Sequence, residues 1–132
     1  GIYDLYRFVN TAPEERRLIE WGVYNLVQAY TGKRKEDATF LKSISTSEHI
    51  TSQYPAVFIS GGNKDFLTKS QSLPFVEVLK QHQVAVTEAF YPDSNEFLVH
   101  EYQFMMSKQA SQITFDRTID FIKQIPRPTE TK

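Results

Sequence analysis

No cysteine occurs among the 132 residues, which excludes a disulfide framework, thiolate catalysis and cysteine-based zinc sites. Whatever chemistry the chain performs must use oxygen or imidazole. Excess charge of either sign is missing too. Fifteen basic residues face 16 acidic ones for a net charge of -1, with no dense basic stripe, so the electrostatic footprint of a phosphate-backbone binder is absent and nucleic acid is not an expected partner. Long apolar runs are also lacking. The longest, around Ala56 to Ile59, falls far short of a membrane span or a signal-peptide core, so the chain reads as soluble and a cytoplasmic location is expected. The three histidines show no metal-ligand spacing of the H-x-x-x-H type with a carboxylate, so neither a metal nor a cofactor is expected. What remains is a composition 40% apolar and 14% aromatic, suited to one globular domain rather than to disorder.

The sequence enters with Gly1-Ile2-Tyr3-Asp4-Leu5, without an initiator Met, and is expected to be a piece of something longer. Thr11-Ala12-Pro13-Glu14-Glu15 supplies a cap, a proline near the first helical position and acids in the first turn. A helix should follow, with Ile19, Val23, Leu26, Val27 and Tyr30 on one stripe, widened by Leu18 and Trp21, and with Gly32 as its stop. So wide an apolar face calls for cover on more than one side. A mixed-charge loop, Lys33 to Asp37, and a short helical turn from Phe40 to Ile44 lead to polar residues 45–52. From Tyr54-Pro55 the pattern changes. Ala56-Val57-Phe58-Ile59-Ser60 reads as a strand buried on both faces, as in a parallel sheet, and Gly61-Gly62-Asn63 ends it. A helix from Ser72 to His82, with Pro74 in its first turn and Phe75, Val76, Val78 and Leu79 on its core face, precedes a second strand from Val84 to Tyr91. Strand, helix and strand make a βαβ unit with parallel strands and a right-handed crossover. A last helix, Ser107 to Gln124, should turn Phe115, Ile119, Ile122 and neighbouring Phe121 to a core and keep Asp116, Arg117, Asp120 and Lys123 outside. The fold class is therefore α/β. The chain divides into a helical segment 1–53, a βαβα part 54–125 and a flexible tail 126–132.

Loops beyond the carboxyl ends of parallel strands are where α/β proteins place their sites. Each strand is followed by a loop holding one residue of catalytic type, Asp65 after the first and His100 after the second. Parallel neighbours lie about 4.8 Å apart, so two such loops can bring a carboxylate and an imidazole into hydrogen-bonding range. The pair would fix one tautomer of the ring and make its other nitrogen a general base. The plainer reading is that Asp65 is a solvated turn residue and His100 a loop histidine with one structural hydrogen bond. Asp93 is an alternative acid, but Pro92-Asp93-Ser94-Asn95 is ordinary turn composition. His49, His82 and Glu101 read as surface residues, and Met105-Met106 as either core or pocket lining.

From Tyr54 to about Ile125 the chain resembles the α/β-hydrolase family, in its esterase and lipase branch. The resemblance is carried by an apolar strand after a proline, a glycine-containing turn leading to Asp65-x-Leu67, a helix, a strand ending in Tyr91-Pro92, then His100 followed closely by an aromatic, and a final helix. It implies Asp65 as the acid and His100 as the base of a catalytic triad, with residues 1–53 as cap or lid material that shapes an acyl pocket. Neither G-x-S-x-G nor a His-Gly-Gly motif occurs, so the nucleophilic serine and the oxyanion donors are not in these residues. What the resemblance then implies is the C-terminal part of a serine carboxylic-ester hydrolase, inactive alone, acting in its intact form on small-molecule esters through an acyl-serine. A noncatalytic α/β interaction module is the alternative. A first strand without its earlier neighbours would keep an unpaired edge, so self-association is expected.

Overall fold

The computed structural model describes residues 1–10, 17–32 and 37–126. The capping signal at residues 11–15, all but Asp37 of the expected loop 33–37, and the tail beyond residue 126 lie outside them, as do the side chains of Leu18, Ile19 and Val23. Three helices come first: α1 (Leu5–Asn10), α2 (Arg17–Thr31) and α3 (Ala38–Ser43). Gly32 stops α2 as expected, at φ +67° and with its N–H on the Gln28 carbonyl, a left-handed cap that glycine adopts without steric penalty. Asp37 caps α3, its Oδ1 accepting the Phe40 N–H at 3.1 Å.

Strand β1 (Val57–Gly61), helix α4 (Leu73–Gln81) and strand β2 (Val86–Phe90) follow, the helix entered through a π-helical turn over Thr68–Ser72. The strands pair in parallel, Val57 opposite Val86 through Gly61 opposite Phe90. The chain is thus a mixed helix and strand protein whose described residues contain one two-stranded parallel sheet. Alternation along the strands sends Val57, Ile59, Val86 and Phe90 to the α4 side, where they join Phe75, Val76 and Leu79. Each fully buried side chain of that cluster is worth about 1.5–3 kcal/mol of transfer free energy. Tyr3 and Ile50, from the segment expected as cap, pack into the same core, Tyr3 stacked on Phe75 at 4.2 Å between ring centroids.

Helix α5 (Gln109–Gln124) covers the opposite face, with Phe121 meeting Phe58 at 5.7 Å. Its orientation corrects the sequence expectation. Ala110, Ser111 and Thr114 are buried, whereas Phe115 and Ile122 are 52% and 55% exposed, and Arg117, expected outside, turns in to donate to the Glu88 carbonyl at 2.7 Å. The inner face is small because the helix lies close to the sheet, and its hydroxyls find local acceptors: Thr114 donates to the Ala110 carbonyl and Ser111 to that of Tyr102. Burial of β1 on both faces also falls short, since of its five residues only Ile59 and Gly61 are buried. On α2, Val27 is buried, while Trp21 and Tyr30 are 69% and 83% exposed, so the expected two-sided cover is missing there among the described residues. No helix of the described residues is long and apolar enough to cross a membrane.

Candidate active site

Both strands deliver their chains to the same end of the sheet. Past Gly61 the first loop turns at once, the Asp65 N–H bonding the Gly62 carbonyl at 3.2 Å and the Thr68 N–H bonding the Asp65 carbonyl at 3.1 Å. Asp65 thereby sits at the mouth of the helical stretch that becomes α4, and its Oδ1 accepts the Leu67 N–H at 2.9 Å. A short acid side chain suits this place because it can satisfy an amide that has no partner earlier in the helix. The other carboxylate oxygen is left pointing away, toward the second loop.

That loop is held against the first by close backbone contact. A Cβ on Gly62 would stand 2.1 Å from the Leu98 carbonyl oxygen, so only glycine lets the two chains meet here. The same carbonyl accepts the Lys64 N–H at 2.9 Å, and the Leu98 side chain is fully buried. Two residues on, His100 Nδ1 lies 2.9 Å from Asp65 Oδ2, across 35 positions of sequence. Asp65 is the shielded partner, its side chain 8% exposed against 53% for His100. A carboxylate accepts only, so the neutral ring carries its proton on Nδ1 and leaves the Nε2 lone pair available. Among the described residues His100 Nε2 makes no hydrogen bond. Beside the ring lies a cavity of about 300 Å³ whose walls include Ser60, Leu67, Ser72 and Tyr102.

Behind the site a network of hydroxyls fixes the second loop to the sheet. The Tyr102 hydroxyl donates to the Ala89 carbonyl at 3.2 Å and meets Thr114 Oγ1 at 2.9 Å, and Thr114 Oγ1 also reaches the Tyr91 hydroxyl at 3.0 Å. Burial pushes the Tyr102 phenol above its ordinary pKa. Between His100 and Tyr102, Glu101 takes a left-handed conformation at φ 58°, uncommon for a residue other than glycine. Glu101 itself is exposed, as expected.

Compared with protein-family profiles, with characterised proteins and with solved structures, the chain matches none.

Of the residues singled out in the sequence, the structure brings Asp65 and His100 together. Asp93 is exposed in its turn. His82 is exposed at the end of α4, and His49 is exposed with Nε2 2.6 Å from the Ser43 carbonyl. Met105 and Met106 are 42% and 46% exposed and belong to none of the three core clusters of the described residues. No group of three His, Asp or Glu placed to hold a metal ion occurs among the described residues. Sequence reasoning passed over Gly62 and Asn63, read there only as strand breakers, and Glu96, whose two carboxylate oxygens accept the Gln109 and Ala110 N–H groups at 3.0 and 2.8 Å. Glu96 supplies the anion that the first turn of α5 lacks. Its position 13 residues ahead of the helix explains why no local capping pattern marked it.

Proposed function

We propose that this chain is the C-terminal part of a serine carboxylic-ester hydrolase of the esterase or lipase kind, with Asp65 and His100 as the acid and base of its triad and the nucleophilic serine on residues outside this sequence. The observation that carries the reading is the 2.9 Å contact between Asp65 Oδ2 and His100 Nδ1, with His100 lining a cavity. In the reaction, Nε2 takes the serine hydroxyl proton as the serine oxygen bonds the acyl carbon. The imidazolium returns that proton to the departing alcohol, and the same two transfers through water release the acid. Asp65 stays ionised throughout, holding the tautomer and stabilising the imidazolium. Alone, the chain has the oriented base but no serine on a G-x-S-x-G elbow, and it is inert.

A second cavity, of about 840 Å³, supports an apolar acyl group in the substrate. Leu5, Phe8, Val27, Phe40 and Ile44 line it between α1, α2 and α3, and Ile2 belongs to its wall and to that of the cavity at His100. The test is hydrolysis of p-nitrophenyl butyrate by a polypeptide joining these residues to the segment with the nucleophile. Asp65→Asn is expected to lower kcat about 10⁴-fold and His100→Ala about 10⁶-fold. Rates equal to wild type would sink the proposal and select the second reading, a noncatalytic α/β interaction module, which the exposed Phe104, Phe115 and Ile122 favour. As a separate chain, two copies associate through the edge of β1 that β2 does not occupy or through the exposed apolar face of α5.

A further inference from the structure

Asn63 lies two positions before Asp65, and Leu98 lies two positions before His100. Between Asn63 and the segment ending at Leu98 the structure places three side-chain hydrogen bonds. Asn63 Nδ2 donates to the Ser94 carbonyl at 2.9 Å and to the Glu96 carbonyl at 3.1 Å, while Oδ1 accepts the Leu98 N–H at 3.1 Å. With the Lys64 N–H on the Leu98 carbonyl, Leu98 is gripped at both of its backbone polar groups. No strand ladder does this work, because the paired registers end at Gly61 and Phe90. A chain can drift by up to about 7 Å over two residues, more than enough to part an acid and a base that need about 2.9 Å. The separation of the pair is therefore set one step back from it.

Resting on the acid–histidine reading of that pair, we infer that Asn63 is a positioning residue, whose side chain closes the two loops and so holds Asp65 and His100 in register. An amide is the one side chain of this size that can donate twice and accept once here. Alanine would leave two carbonyls and one N–H without their partner and remove three side-chain hydrogen bonds that tie the loops together. Aspartate keeps the volume and the acceptor for Leu98 but turns a carboxylate toward two carbonyl oxygens.

The test reads the tautomer of His100 by ring ¹⁵N chemical shifts in the 132-residue chain, so it needs neither substrate nor nucleophile. Asp65→Ala provides the reference for a histidine without its acid. Wild type is expected to hold the Nδ1-protonated tautomer, and Asn63→Ala, with its helical circular dichroism and dispersed methyl signals retained, is expected to show the Asp65→Ala tautomer populations. Asn63→Asp is expected to move in the same direction, and it is read alone if the alanine variant does not fold. A folded Asn63 variant that keeps the wild-type tautomer overturns the positioning role, whatever stability it has lost. Wild type indistinguishable from Asp65→Ala would instead overturn the pairing beneath it.

Discussion

Tyr102 joins the site to the fold through a single oxygen. Its hydroxyl reaches across to the Ala89 carbonyl of β2 and to Thr114 of α5, so one phenol ties loop, strand and helix together. Burial raises its pKa from the ordinary 10.0, and the Tyr3 phenol is raised as well, by burial and by neighbouring Tyr54. The neutral phenol is thus the form the folded state favours. Above pH 10 the unfolded chain sheds these protons before the folded one does, so the stability these phenols contribute is complete below that pH and declines as pH rises further. Urea midpoints measured between pH 8 and 11 should trace the decline. In Tyr102→Phe the alkaline slope should be shallower, and at neutral pH the loss of the hydrogen bonds should cost about 1 kcal/mol. An unchanged slope would mean that this oxygen is not shielded as described.

Among the elements, α5 separates what periodicity can tell from what it cannot. Spacing identified a helix ending at Gln124 and identified its apolar stripe, and both exist. The direction of the stripe was not legible, because an apolar face says only that cover is wanted and not that this chain provides it. Phe115 and Ile122 face out, and the small residues Ala110, Ser111 and Thr114 let the helix approach the sheet. Exchanging Phe115 for Gln or Ile122 for Lys should therefore alter the unfolding free energy of the monomer, read from urea titration, by no more than about 0.5 kcal/mol. Ser111→Leu, which forces bulk into a fully buried position, should cost about 1–3 kcal/mol. Were the outward pair the costly one, the helix would be turned as its pattern alone suggests. The βαβ unit was easier to read. Ile59 of β1 and the α4 face of Phe75, Val76 and Leu79 meet their cover within the chain, so there pattern and packing agree. Asp65 and His100 were legible for the related reason that strand ends fix where loops emerge. Asn63 was not, since Gly-Gly-Asn is also what any sharp turn needs.

At the scale of the whole molecule, apolar surface is distributed unevenly. Phe115, Ile119 and Ile122 lie bare along α5, Trp21, Leu26 and Tyr30 along α2, and the two-stranded sheet ends at β1 without a further partner among the described residues. Surfaces of this kind draw in a second chain. Sedimentation equilibrium is expected to show a mass rising toward that of a dimer with increasing concentration, and Phe115→Gln combined with Ile122→Lys should weaken the association. A compact monomer at every concentration would show that β1 and α5 need no companion. The proposed self-association and the proposed ester chemistry are independent at this scale, because the pair and its clamp lie at the strand ends rather than along the outward face of α5.

The contact between Gly62 and the Leu98 carbonyl bears on how freely this chain can change over generations. Every other residue type would bring at least one carbon to a place already taken by main-chain oxygen, and no rotamer could evade it. In a randomised library sorted only for folding, position 62 should return glycine alone, while exposed Lys64 beside it drifts widely. Such a library would find the site's neighbourhood frozen even though no substrate had ever been offered.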